Sequence, residues 1–210
     1  MFKVLRICKV YNAVVIPTLL YGSEAWTTYK RHVKTLEKYH QRCLRSILRI
    51  KWDDFVSNNE VLDRASTVSI ESVIVKNRLR WAGHVVRMDN TRVVKQVFYS
   101  ELKYGQRKRG GQYKRFKDLL KETLQRCGID PERWETTALD RARWQRAIHN
   151  GAKTFELRRR AEDETRKARR RLAAQAAVTA TTADGYVCPV CGQACRSRIG
   201  LHSHMRRHPR

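Results

Sequence analysis

Hydrophobic positions along most of this chain recur at intervals of three and four, the period of one face of an α-helix. Over residues 3–20 they are Val4, Leu5, Ile7, Cys8, Tyr11, Val14 and Val15. Pro17 should kink or interrupt that helix, because it lacks a backbone N–H and its ring crowds the preceding turn. A second helix is predicted over 30–50. Val33, Leu36, Tyr39, His40, Cys43, Leu44 and Ile47 form its apolar face, and Arg31, Lys34, Lys38, Arg42, Arg45 and Arg49 fall largely elsewhere. His40 reads as a histidine at the edge of the core. Ser57-Asn58-Asn59-Glu60 is a capping signal for a short helix through Val61, Leu62 and Ala65. A longer helix is predicted over about 70–88, through Val73, Ile74, Leu79, Trp81, Ala82 and Val85, with Gly83 marking close packing or a bend.

Helix is expected again over about 113–126, stopped by Cys127-Gly128. Asp130-Pro131-Glu132 should open the next one, with proline near its first position. Residues 137 to about 177 read as one long, mostly polar helix whose apolar stripe of Trp144, Ile148, Phe155 and Leu157 fades into an arginine-rich run over 158–171. Residues 173–183 are small and featureless and read as a linker. The fold class expected is therefore mainly α, ending in a small ββα unit. The divisions expected are 1–65 and 66–136 as helical regions, 137–183 as long basic helix and linker, and 184–210 as a separate module.

Composition narrows the partners. In 210 residues there are 45 Lys and Arg against 20 Asp and Glu, a formal net charge of +25. Such a balance points to a polyanion, first nucleic acid and second an anionic membrane surface. The 41% hydrophobic content and five tryptophans supply a core. No run approaches the ~20 apolar residues of a membrane span. The start is loosely signal-like, with early basic residues before an apolar run over 13–20. Lys9 and Tyr11 interrupt the pattern, and a nuclear location is expected instead.

The charge is most concentrated over 103–117, KYGQRKRGGQYKRFK. Lys103, Arg107, Lys108, Arg109, Lys114, Arg115 and Lys117 are interleaved there with Tyr104, Tyr113 and Phe116, and Gly105, Gly110 and Gly111 make it a loop. Cations grip phosphates and rings stack on bases, so this loop is a candidate nucleic-acid contact.

The sharpest local pattern closes the chain. Residues 186–208 read YVCPVCGQACRSRIGLHSHMRRH, with Cys188, Cys191, His204 and His208 spaced C-x2-C-x12-H-x3-H. Two residues between cysteines let a tight turn aim both thiolates at one ion, and histidines at i and i+4 deliver two imidazoles from one helix face. Four such ligands form a closed, structural Zn2+ site. Cys195 and His202 are neighbours that could be mistaken for ligands. A disulfide framework is the competing use of six cysteines, favoured in secreted chains. The helix positions that would face bases, Ser197, Gly200 and Ser203 with Ile199 between, are weak base readers. Arg196, Arg198, Arg206 and Arg207 can instead hold phosphates.

The 186–208 segment resembles the C2H2 zinc-finger family, with Tyr186 and Leu201 at its small-core positions and Cys195 where a phenylalanine is usual. The order of features over nearly the whole chain is similar to a second family. YNAVVIPTLLYGSEAW, CLRSILRIKWDD, VSNNEVL, NRLRWAGHVVRM, the basic glycine loop and the terminal finger together resemble the C-terminal region of non-LTR (LINE-type) retrotransposon reverse transcriptases. That resemblance implies a polyprotein with an endonuclease and a polymerase ahead of such a tail. Residues 1–65 would match the thumb, which grips template–primer duplex. The tail and finger would hold target DNA or element RNA during target-primed reverse transcription. The family's palm carries an aromatic-Ala-Asp-Asp hairpin whose carboxylates hold two metal ions. Trp52-Asp53-Asp54 imitates it, but follows a basic helix without flanking hydrophobic strands and reads as a helix-terminating acidic turn. The expectation is a truncated piece without polymerase activity of its own, catalytic residues none, no small-molecule substrate, and DNA or RNA as partner through phosphate contacts. The alternative is a host regulatory C2H2 zinc-finger protein binding DNA.

Overall fold

The computed structural model describes residues 2–100, 115–183, 186–195 and 197–208, and the side chains of 2–3 and 177–183 are not described. The basic positions Lys103, Arg107, Lys108, Arg109, Lys114 and Arg196 lie outside the described residues. The chain is mainly helical, with two short strands, and divides into two compact units, Met1–Arg159 and Arg160–Arg210.

In the first unit the regular α-helix is interrupted just ahead of Pro17, by a π turn. Helix α1 (Phe2–Val10) runs through a π turn (Tyr11–Val15) into α2 (Ile16–Leu19). The Ile16 N–H reaches back five residues to the Tyr11 carbonyl. Widening the ladder by one residue ahead of Pro17 accommodates the missing donor while the chain stays helical. Gly22, at φ +70, turns the chain toward α3 (Lys30–Ile47). Helix α4 (Asn58–Arg64) is capped as its sequence demands, Ser57 Oγ accepting from the Glu60 N–H at 3.2 Å. Helix α5 (Ile70–Val86) is capped by Ser69 and is the central element, burying ten of its residues.

Two hydrophobic clusters meet along α5. Cys8, Tyr11, Ile16 and Leu20 pack with Leu44, Val61, Leu62 and the N-terminal half of α5, where Ile70 and Ile74 sit. The other half of α5 packs with α6 (Val93–Tyr99), α7 (Phe116–Arg126), α8 (Trp134–Leu139) and the start of α9 (Arg141–Ala183). Helix α7 stops as expected. Gly128 takes φ +71, and the Ile129 N–H closes on the Leu124 carbonyl at 2.9 Å.

Four sequence expectations are corrected here. Asp130-Pro131-Glu132 forms a turn, held by the Glu132 N–H on Asp130 Oδ1, and α8 starts only at Trp134. Helix α9 does not begin at 137, because Asp140 leaves the helical region and its carboxylate caps Ala142 and Arg143. Leu157 is 67% exposed, two residues from buried Phe155 and on the opposite face. Gly151 and Glu156 complete the buried side of α9 instead. Residues 173–183, read as a linker, continue α9.

Polar groups tie the helices together. The Arg78 side chain is buried and donates to Thr123 Oγ1 at 2.9 Å, Thr28 Oγ1 at 3.2 Å and the Trp26 carbonyl at 3.4 Å, and burial brings its pKa down to about 10. Glu156 accepts from Ser69 and Ser72 of the α5 N-terminus at 2.7 and 2.6 Å and pairs with Arg159 at 2.6 Å. His40 is buried as a core histidine, stacked on Tyr11 and hydrogen-bonded to its hydroxyl at 3.0 Å. Among the described residues no helix is long and apolar enough to cross a membrane.

In the second unit, strands β1 (Tyr186–Val187) and β2 (Ala194–Cys195) pair antiparallel, Tyr186 opposite Cys195 and Val187 opposite Ala194. Helix α10 (Arg198–Met205) follows, packed on both strands and capped by Ser197, whose Oγ accepts from the Gly200 N–H at 3.1 Å.

Candidate metal centre

Local backbone chemistry builds the cysteine pair. Between β1 and β2 the chain makes a tight turn closed by two bonds, Cys188 N–H to the Gln193 carbonyl and Gly192 N–H to the Cys188 carbonyl, both 2.9 Å. Gly192 sits at φ +72, where a side chain would be strained. The turn places Cys188 and Cys191 side by side. Cys188 is buried and Cys191 exposed. Desolvation of the Cys188 thiol works against ionisation. The backbone N–H groups of Cys191 and Val190, and the Cys191 thiol, outweigh it and hold the pKa below the ordinary thiol value.

The histidines come from the other side. His204 lies in the last turn of α10. His208 sits one turn on, where the ladder tightens to three-residue bonds, Arg207 N–H to the His204 carbonyl and His208 N–H to the Met205 carbonyl. Both rings point their Nε2 atoms at the cysteines. Cys188 Sγ is 3.3 Å from His208 Nε2, Cys191 Sγ is 3.1 Å from His204 Nε2, and the two Nε2 atoms are 3.1 Å apart.

All four donor atoms lie within 4.8 Å of one another, and among the described residues this is the one group of three or more such side chains able to hold a metal ion. Two thiols and two ring nitrogens converging on one point, with no carboxylate among them, suit a closed structural site for a metal ion. Cys195 and His202 stand apart from it. Cys195 Sγ lies 3.9 Å from the Gln193 carbonyl, and His202 is exposed on α10. The ring-to-ring approach of His204 and His208 at 4.8 Å fixes their relative orientation at 85°. No disulfide joins any of the six cysteines.

The cationic positions divide. Arg198, Arg206 and Arg207 are exposed on and just after α10, around the Cys/His group. Arg115 is exposed at the start of α7, whereas Lys117 donates its Nζ to the Tyr99 carbonyl at 3.2 Å. Trp52-Asp53-Asp54 is a single 3-10 turn in which Asp54 Oδ2 accepts the Lys51 N–H at 2.7 Å. Sequence reading did not single out Gly192 or Gln193, the residues that shape the cysteine turn. The signal was present in the glycine directly after Cys191, a position at the end of a tight turn that favours a left-handed backbone.

No family model matches the chain, and no solved structure matches it. Among curated proteins it is similar to an uncharacterized transposon-derived protein of Caenorhabditis elegans, F52C9.6, at 26% identity over 147 residues. The match covers 66% of this chain and 52% of that protein, so the chain spans about half the length of the curated relative it matches. The chain is a mainly helical protein with a Cys2His2 group suited to a metal ion, and it is similar to a protein derived from a transposon.

Proposed function

We propose that this chain is a zinc-binding, nucleic-acid-binding C-terminal segment of a non-LTR retrotransposon reverse transcriptase, with no polymerase chemistry of its own. The observation that carries the reading is the convergence of Cys188, Cys191, His204 and His208 in a chain of net charge +25. A tetrahedral Zn2+ bound by two thiolates and two imidazoles has donor-to-donor edges of about 3.3–3.8 Å. The three separations between these donors, 3.1–3.3 Å, already approach those edges. Two Nε2 atoms this close face each other comfortably only across a shared cation or proton. The β1–β2–α10 order reads as a ββα zinc finger, and zinc would supply the stability that so small a unit lacks in its own core.

Zinc here has a structural role. The protein's own residues do the binding. Arg198, Arg206 and Arg207 are aimed outward and are suited to phosphates, and the weak base-reading positions Ser197, Gly200 and Ser203 favour affinity without sequence preference. The transposon-derived relative supports the origin, and the order of sequence motifs supports the reverse-transcriptase assignment. DNA and RNA are both within the reading, and a nuclear location follows from it.

The test joins the two halves. Cobalt titrated into the metal-free chain should give the intense d–d absorption of a tetrahedral thiolate–imidazole site, and zinc should displace it. Nucleic-acid affinity of the zinc-loaded chain should fall steeply with salt and vary little between scrambled sequences. Octahedral cobalt spectra, or discrimination between scrambled duplexes, would sink the proposal.

A further inference from the structure

We infer that the loop over 49–56 is a stacking platform for an unpaired polynucleotide strand, with Trp52 and Phe55 taking the bases and the outer face of α3 taking the phosphates. The inference rests on the proposed nucleic-acid function and gives it a site in the first unit, separate from the Cys/His group.

Trp52 and Phe55 are each 88% exposed, the most exposed large apolar side chains of the described residues. Leaving two such rings in water costs the fold stability that burial would have supplied. The loop that carries them is not loose. Its backbone holds two residues in the left-handed region, Arg49 at φ 55 and Phe55 at φ 51, a conformation uncommon for arginine and costly for a ring-bearing side chain. Three sets of bonds hold it. Ile50 N–H returns to the Arg45 carbonyl at 2.9 Å. Lys51 N–H is capped by Asp54 Oδ2. The Arg45 guanidinium ties the far end, donating to the Val56 carbonyl at 2.8 Å and to Asn58 Oδ1 at 2.9 Å. A strained, well-anchored loop that presents two rings to solvent is pre-organised to receive flat partners rather than to collapse on itself.

Charge selects the partner. Lys34, Lys38 and Arg42 are exposed and one helical turn apart on α3, a row of about 12 Å that leads to Arg45, the residue anchoring the loop. Arg49 and Lys51, also exposed, continue it into the loop. The one acid of α3, Glu37, is withdrawn from this row and accepts the Ile70 N–H at 2.9 Å. A row of cations ending in two exposed rings matches a strand whose phosphates run along the helix and whose bases are unstacked. A paired duplex would hide the π-faces the rings need, and a neutral apolar protein surface would leave the cations without partners.

The test uses the full, zinc-loaded chain and fluorescein-labelled dT20 and U20 strands, with a blunt 20-base-pair duplex as comparison. The double variant Trp52→Ala/Phe55→Asn removes both rings, and asparagine suits the left-handed position. Affinity for dT20 and U20 should fall at least about tenfold, with the salt slope kept and duplex affinity little changed. The ring-preserving Trp52→Phe should bind the strands almost as the parent does. Lys38→Gln/Arg42→Gln should instead flatten the salt slope. A steep response to dT20 alone assigns DNA strands, and to U20 alone RNA strands. If the parent binds both strands steeply and Trp52→Ala/Phe55→Asn binds them equally well, the platform is overturned while the nucleic-acid reading stands. If the parent itself shows no salt-dependent binding, both fall together.

Discussion

The Trp144 indole occupies the space that a side chain on Gly83 would need: a Cβ there would overlap its Nε1 and Cδ1 atoms. The same Nε1 donates to the Leu79 carbonyl of α5 at 3.1 Å. Helices α5 and α9 are thus locked by the Nε1 edge of a ring set against bare backbone, and Trp134 packs on that ring at 5.9 Å. Gly83→Ala should therefore destabilise the first unit by about 2 kcal/mol or more, the upper range for overpacking a closed core. Urea unfolding checks this. Adding Trp144→Phe, which removes part of the overlap, should make the double variant less unstable than the two single costs added together. Additive costs would show that the two residues do not share one space.

His40 sets one acid limit. Burial lowers its pKa from 6.5 to about 4, with a backbone bond to Val68 opposing the shift. The folded value lies below the unfolded one, so the unfolded chain binds the proton more readily. The stability tied to neutral His40 is complete above pH ~6.5 and is lost as pH falls through the window down to about 4, in total about 3 kcal/mol. His40→Gln should flatten the stability profile in that window relative to the parent, measured by denaturant unfolding at successive pH values.

Glu156 sets a second limit at lower pH. Burial would raise its pKa, but the hydrogen bonds from Arg159, Ser72 and Ser69 prevail and bring it down to about 2. Its folded value is depressed below 4.5, so its contribution is present above that value and is lost as pH falls from about 4.5 toward 2. Glu156→Gln keeps the shape and removes the charge. It should cost about 2–3 kcal/mol at pH 7 and much less near pH 2. An equal cost at both pH values would show that the carboxylate charge is not what joins α9 to the α5 N-terminus.

The parts of this molecule that were legible in its sequence are those fixed by local chemistry. Ser57 capping α4, Gly128 ending α7 and the C-x2-C-x12-H-x3-H spacing each concern groups a few bonds apart or on one helix face. Gly83 could be read as a close approach, though not what approaches it. What escaped depends on distant partners. The interruption at Pro17 was legible, but not its form, a π turn whose Tyr11 ring is held by His40 of α3. Helix α6 carries Val93, Val94 and Val97 in water and buries Phe98, so its pattern is weakly amphipathic. Asp140 breaks a helical pattern by capping the helix that follows it, a competition between two local bonds that periodicity does not register. Leu157 was placed in the core because it is apolar, while Glu156 beside it is the buried residue.

At the Cys/His group, Cys191→Ser should abolish the tetrahedral cobalt spectrum and weaken metal binding by about 2 kcal/mol or more, since ~10–16 kcal/mol is shared among four ligands in such sites. Cys195→Ser and His202→Ala should leave both the spectrum and the affinity nearly unchanged. A spectrum that survives Cys191→Ser but not Cys195→Ser would reassign the ligand set. Chelation should melt the β1–β2–α10 segment while the first unit retains its helical signal and its tryptophan fluorescence.

The proposed function makes this basic chain a sequence-tolerant binder of nucleic acid. One measurement bears on it most directly: the affinity of the zinc-loaded chain for a labelled strand across a salt series, repeated with a scrambled sequence. Six or more phosphate contacts predict a log–log slope of about −4 or steeper, the same for both sequences. A slope near zero, or a slope kept for one sequence and lost for the other, would contradict the account.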